Sequence, residues 1–265
     1  MVATIQLLSG LVGSLAFLSQ ASAGPLVTEQ VRIMALGDSI TGNPGCWRAL
    51  LSRKLSATNI DLPLPYSQIR FVGTQQRTYC GYGSAYDWPH EGHGGFLATG
   101  IASTTVPILS ILSDLPLLTQ PLLTSWLLNP DVSLLGRPVD IVLMHLGTND
   151  IWQGRPTAEI LGAYGALLNQ MRAVNLRVRL LVAKILPMQP ANCPSCAAKV
   201  QELNTYIPLW AAPVTVGDQY ARFNATQYTT DGVHPNARGD EVIAQKWLGS
   251  MLEAIEAVVD EGLLP

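Results

Sequence analysis

The stretch "RIMALGDSIT", from Arg32 to Thr41, is an apolar run that stops at Gly37-Asp38-Ser39. A serine in the turn after a buried strand can act as a nucleophile if a base reaches its hydroxyl and the base is itself oriented. Asp231-Gly232-Val233-His234, far along the chain, offers both. His234 Nε2 can take the Ser39 proton while Asp231, three residues earlier, accepts from Nδ1–H. Donors for a developing oxyanion are available from the Ser39 N–H, the Gly95 N–H and the side-chain amide of Asn149 in Gly147-Thr148-Asn149-Asp150. This set is suited to acyl transfer through serine.

Each member also has an ordinary structural reading. Ser39 or Asp38 could cap a helix, Asp231 could close an Asx turn before Pro235, Asn149 and Asp150 could cap the next helix, and Gly94-Gly95 could be a plain loop. Their joint order, each behind a strand, favours the chemical reading. His90, Glu91 and His93 have spacing that a metal could use. With no evident third ligand, and no need of a metal in serine chemistry, they are read as a brace for the Gly95 loop, with no metal and no cofactor. Trp47, Trp88 and Trp152 follow motif residues closely and are read as lining a sugar or acyl cleft, with core packing as the alternative for at least one.

The elements that must position these residues alternate along the chain. Strands are expected at Val31–Leu36, Gln68–Val72, Asp140–Leu146, Arg177–Ile185 and Pro213–Val216. Helices are expected at Trp47–Ala57, Ala158–Val174, Ala197–Ala211 and Ala237–Val259. Alternation of this kind implies an α/β fold, a three-layer α/β/α sandwich on a five-stranded parallel sheet. In such sheets ligands sit outside the carboxyl ends of the strands, where Ser39, Asn149 and His234 would converge. Leu97–Arg137 fits less well: Pro107, Pro116, Pro121 and Pro130 break any long helix. It reads as a pair of short helices covering the sheet, or as an apolar lid near the site.

The chain has 265 residues, 48% hydrophobic and 13% charged, enough for one domain with a sizeable core. A formal net charge of −3 and the lack of a Lys/Arg cluster along the sequence argue against a nucleic-acid partner. Residues 1–23 hold no charged side chain, run apolar from Ile5 to Phe17 and end in Ala21-Ser22-Ala23. They read as a secretory signal peptide, which leaves 24–265 as the catalytic domain with no membrane span. An n-region without Lys or Arg keeps an uncleaved anchor as the alternative. In a secreted, extracellular chain the four cysteines should oxidise. Cys46 with Cys80 and Cys193 with Cys196 is the favoured of three connectivities. Asn224-Ala225-Thr226 is a glycosylation sequon. A monomer is expected.

Gly37-Asp38-Ser39-Ile40, Gly95, Gly147-Thr148-Asn149-Asp150 and Asp231-x-x-His234 together resemble the blocks of the SGNH (GDSL) hydrolase superfamily. Within it, "GDSITGNPGCWRALL", "FVGT", "HEGHGGF", "VDIVLMHLGTNDI" and "TTDGVHPNARGDEVIAQKW" are similar to carbohydrate esterase family three, secreted enzymes that deacetylate xylan. The resemblance implies Ser39 as nucleophile, His234 as base, Asp231 as orienter, and Ser39, Gly95 and Asn149 as oxyanion donors. It also implies an acetylated polysaccharide or oligosaccharide as substrate. Two departures concern substrate range: Gly94 stands where that family commonly has serine, and Leu97–Arg137 is longer than its usual connection. A lipase-like or lysophospholipid acylhydrolase of the same superfamily is the second reading, suggested by that apolar segment. A carbohydrate-binding protein without turnover is the third.

Overall fold

β1, Val31–Gly37, is buried along its whole length, as a central strand covered on both faces must be. In this computed structural model, which describes residues 30–262 except 58–59, 76–79, 84–85, 87, 108–118, 134–136 and 213, it is flanked by parallel neighbours. The expected leader, 1–23, lies outside the described residues, as does Pro213 at the start of the fifth expected strand.

After β1 come β2 (Ile69–Val72) and then β3 (Glu91–Gly92), with β6 (Ile141–His145), β7 (Arg179–Lys184) and β8 (Thr215–Asp218) following in the second half. The sheet order is β2-β1-β6-β7-β8, every pair parallel. The expectation of five strands needs one correction: β3 makes a sixth, also parallel to β1. β2 pairs with Val31–Met34, and β3 takes over the same edge at Leu36 and Gly37. Two residues carry no hydrophobic period, so the sequence pattern does not reveal such a strand.

Helices cover both faces. α1 (Ser39–Gly42) is a single turn after β1, and α2 (Trp47–Leu55) packs on α9 (Ala237–Asp260). On the other side α6 (Thr157–Val174) packs on α7 (Cys196–Trp210), with α5 (Thr148–Trp152) against α7. A short α8 (Ala225–Tyr228) is capped by Asn224, whose side chain accepts from Gln227 N–H, so the sequon lies on an exposed cap. Trp247 of α9 fills the groove over Gly217 of β8, where an added Cβ would sit 2.4 Å from its ring. Trp47 packs against it at 6.4 Å between centroids.

The segment from Leu97 to Arg137 holds the expected two short helices, α3 (Ala98–Ser103) and α4 (Leu122–Leu127), but they lie against α6 and each other. Between them β4 (Thr105–Pro107) and β5 (Thr119–Pro121) form an antiparallel pair. Ala98, Ile101, Leu123, Leu127 and Val132 are buried, so this segment belongs to the core rather than resting on it. No helix among the described residues is long and apolar enough to cross a membrane.

Candidate active site

The Gly-Asp-Ser turn is tight because β1 runs directly into α1. At Gly37 a Cβ would lie 2.1 Å from Thr41 Oγ1 and 2.8 Å from the His145 carbonyl oxygen, so only glycine fits. Of the two capping candidates, the cap is Asp38: its Oδ1 accepts from Ile40 N–H at 2.9 Å. That leaves the Ser39 hydroxyl free of the backbone, and its Oγ stands 2.9 Å from His234 Nε2 across 195 residues of sequence.

His234 reaches this point on a turn closed by a bridge between Thr229 and Pro235 and by Thr230 N–H donating to the His234 carbonyl. Asp231 organises the turn from inside. Its Oδ1 accepts from Val233 N–H at 3.0 Å and His234 N–H at 2.8 Å, and its Oδ2 meets His234 Nδ1 at 2.7 Å. Partial burial pushes the Asp231 carboxyl up, but the hydrogen bonds from His234 and Val233 and the nearby imidazole outweigh it. The net effect holds it below the ordinary carboxylate range, so it stays ionised. The loop after β7 supports the turn through Gln189 N–H donating to the Gly232 carbonyl.

The third side of the site is the turn His93–Phe96, closed by Phe96 N–H to the His93 carbonyl at 3.2 Å. Gly95 at its third position has φ +79°, the left-handed value a type II turn requires there. His93 N–H donates to the Gly37 carbonyl, and a Cβ on Gly94 would sit 3.9 Å from Ser39 Cβ, so the turn lies against the serine. Asn149 Nδ2 donates to the Phe96 carbonyl at 3.0 Å, which ties Asn149 to the same turn. Asn149 lies inside α5, whose cap is Gly147, so it is not a helix cap. Asp150, fully buried, accepts from Ala98 N–H (2.7 Å), Thr99 N–H (3.0 Å) and Thr99 Oγ1 (2.7 Å). It thereby caps α3 immediately behind the turn.

His90, Glu91 and His93 form a brace. The buried Glu91 carboxylate meets His93 Nε2 at 2.6 Å and accepts from Thr74 N–H (2.7 Å) and Thr74 Oγ1 (2.6 Å). His90 Nδ1 accepts from Gly92 N–H at 3.0 Å. No group of three or more His, Cys, Asp or Glu that could hold a metal ion occurs among the described residues.

Of the three tryptophans, Trp47 takes the core-packing alternative, while Trp88 and Trp152 are partly buried. Trp47 is 1% exposed and donates its indole N–H to the Ile40 carbonyl, so it cannot touch a substrate. Trp88 turns its indole N–H to Ser52 of α2, and Trp152 is packed against the core. The aromatic residue that does reach the turn is Trp126 of α4, stacked on His93 at 4.2 Å and 11°. Its signal in the sequence was weak: a lone Trp in a proline-broken segment 87 residues from Ser39.

Two further buried groups shape the electrostatics. Burial pushes the Asp38 carboxyl up to about 7, against the pull of its bond to Ile40 N–H. Its Oδ2 has no hydrogen bond among the described residues, and the Thr148 hydroxyl approaches it outside hydrogen-bonding geometry. Burial drives His145 down to about 4, so this histidine is neutral; its Nε2 accepts from Leu186 N–H. Disulfides join Cys46 to Cys80, which fastens the start of α2 to the loop before Trp88, and Cys193 to Cys196 at the start of α7.

The fold and site thus define a parallel α/β protein with serine, histidine and aspartate hydrogen-bonded in series at the carboxyl edge of its sheet. The GDSL-like lipase/acylhydrolase family model matches residues 35–242, and the chain belongs to that family. Among solved structures it is similar to a carbohydrate esterase family 3 protein from Talaromyces cellulolyticus, at 30% identity and a TM-score of 0.68, covering 86% of this chain and 100% of that one. A crystal structure of an acetyl esterase mutant with an acetate ion matches to the same extent. A multidomain esterase of Ruminococcus flavefaciens is 28% identical over 253 residues, 89% of this chain. The chain spans about 30% of that relative's length.

Proposed function

We propose that this protein removes acetyl groups from hydroxyls of plant cell-wall polysaccharide, xylan foremost, with Ser39 as nucleophile, His234 as general base and Asp231 as orienter. The observation that carries the reading is the continuous series Ser39 Oγ, His234 Nε2, His234 Nδ1, Asp231 Oδ2, at 2.9 and 2.7 Å. Similarity to acetyl esterases of carbohydrate esterase family 3 supports the acetyl group and the sugar alcohol.

In this mechanism Ser39 Oγ attacks the acetyl carbonyl carbon as His234 Nε2 takes the hydroxyl proton. The oxygen that gains charge is met by the Ser39 N–H, the Gly95 N–H and Asn149 Nδ2. Collapse breaks the bond to the sugar oxygen, which leaves with the proton from His234. Water then attacks the acetyl-serine carbonyl, giving its proton to His234, and acetate departs as that proton returns to Ser39 Oγ. Ionised Asp231 stabilises the imidazolium in both halves.

Secretion is part of the proposal. It is supported by the uncharged apolar leader with its Ala21-Ser22-Ala23 site and by two disulfides. The experiment is labelling with a serine-reactive fluorophosphonate, followed by chain-length preference on 4-nitrophenyl esters. Modification at Ser39 and a strong preference for acetyl over octanoyl are the expected results. A preference for eight carbons or more would favour the lipase-like reading instead. An unlabelled Ser39 in a xylan-binding protein would favour binding without turnover.

A further inference from the structure

The 93–96 turn carries a feature that the hydrolytic chemistry leaves unused. Phe96 is 39% exposed beside the serine, an unusual place for a phenyl ring. Its centroid lies 4.9 Å from that of His93 and 6.3 Å from that of Trp126, while His93 and Trp126 stack at 4.2 Å. These separations rule out a sandwich with His93 in the middle. The three rings form a corner with His93 at its vertex, their planes within 34° of one another.

The corner is held from behind on every side. Glu91 fixes the His93 ring through Nε2 and is itself tied down by two bonds from Thr74. Asn149 holds the Phe96 backbone. Leu123 and Leu127, at 0% and 2% exposure, anchor α4 in the core and so present the partly buried Trp126 to His93. A rigid aromatic face loses little entropy when it binds, and this one touches the turn that lies 3.9 Å from Ser39 Cβ, measured from a Cβ on Gly94.

Phe96, exposed, and Trp126, partly buried, put an aromatic surface beside the nucleophile, where a bound ester has to sit. A long acyl chain gains affinity from an enclosed slot that buries most of its surface, whereas the exposure of Phe96 makes this shelf open. The flat apolar face of a sugar ring suits an open aromatic shelf, because the hydroxyls around its rim stay in water. Of the three larger clefts one, about 520 Å³, lies between α3 and α6, lined by Leu97, Thr99, Gln153 and Glu159, and the other two do not compete for this role. Those two, about 340 and 550 Å³, are lined by Arg172, Leu176, Arg177 and Glu261 at the opposite, amino-terminal edge of the sheet.

We propose that Phe96 and Trp126 form a stacking platform for a neutral pyranose ring of the acetylated polysaccharide, next to the scissile ester. The proposal rests on the deacetylase reading above and adds the residues that select a sugar alcohol. It also gives Leu97–Arg137 a role: the segment brings Trp126 to the site.

The test measures steady-state acetate release from acetylated xylo-oligosaccharide for the wild type, Trp126→Ala, Trp126→Phe and Phe96→Ala. It is paired with calorimetric titration of acetylated xylo-oligosaccharide into Ser39→Ala with and without Trp126→Ala. Trp126→Ala should raise KM at least tenfold while lowering kcat no more than threefold, and Trp126→Phe should recover most of the KM. Binding to Ser39→Ala should weaken at least tenfold when Trp126→Ala is added. A fall in kcat at unchanged KM would show that Trp126 only braces the oxyanion turn and would overturn the platform, as would unchanged binding. Loss confined to long-chain esters would assign the shelf to an acyl chain and also overturn it. If Trp126→Ala fails to fold, Phe96→Ala and Trp126→Phe carry the same comparison. If the wild type releases no acetate from any sugar, the deacetylase reading fails, and the titration alone decides the platform.

Discussion

Asp38→Asn should make the protein more stable, by an amount that grows with pH. Asparagine is as good a helix cap as aspartate, so the bond to Ile40 N–H survives. Its amide can also meet the Thr148 hydroxyl, which has no hydrogen bond among the described residues. The magnitude comes from the carboxyl. Its folded value of about 7 lies above the ordinary 3.8, so the folded state binds the proton more tightly. Stability is therefore lost as pH rises from 3.8 to about 7 and is flat beyond. At about 1.4 kcal/mol per pH unit, full ionisation costs roughly 4 kcal/mol, of which about a third is felt at pH 5. Urea unfolding of both proteins at pH 5 and pH 8 should show the variant gaining about 2 to 3 kcal/mol on the wild type between the two. Asp240, raised to about 6, and His145, lowered to about 4, contribute equally to both proteins and cancel. A stability difference that stays constant within about 0.5 kcal/mol across this range would refute the buried, proton-holding Asp38.

Asn149→Ala should lower kcat on 4-nitrophenyl acetate by roughly 100- to 1,000-fold with little change in KM, if its amide meets the oxyanion. Asp150→Ala, by contrast, strips the acceptor from Ala98 and Thr99 and should cost at least about 2 kcal/mol of stability in urea unfolding. Trp47→Ala should destabilise by about 3 to 5 kcal/mol in the same assay, because its ring lies in the core against Trp247. Replacing Cys46 and Cys80 together by serine opens a loop closed over a separation of 34 residues and should cost about 4 kcal/mol. The same exchange at Cys193 and Cys196, three residues apart, should cost about 2 kcal/mol.

The strands that carry the site could be read because they are buried on both faces, and such strands appear as unbroken runs like Val31–Gly37 and Ile141–His145. Ser39, Asn149 and His234 stood out because polar chemistry after an apolar run is unusual, whichever helix follows. β3 escaped notice because two residues show no period. For Trp47 the choice between cleft and core could not be made from sequence: a tryptophan near a motif has the same local sequence whether it faces a cleft or Trp247, and only the packing of α2 on α9 decides. Trp126 was missed for the opposite reason. Its neighbours Leu123 and Leu127 announce a core helix, and nothing local records that α4 ends beside His93. The Asp38–Ser39 division of labour, one residue capping and the next left free, likewise depends on backbone angles that the sequence does not display.

The most direct test of the central claim is acetate release from acetylated xylan by the wild type and by Ser39→Ala, both shown to be folded by thermal melting. The account predicts steady release by the wild type and a loss of about 10⁶-fold in kcat for Ser39→Ala, the scale set by removing a serine nucleophile that works with its histidine as one unit. Folded Ser39→Ala that kept a tenth or more of the wild-type rate would contradict it.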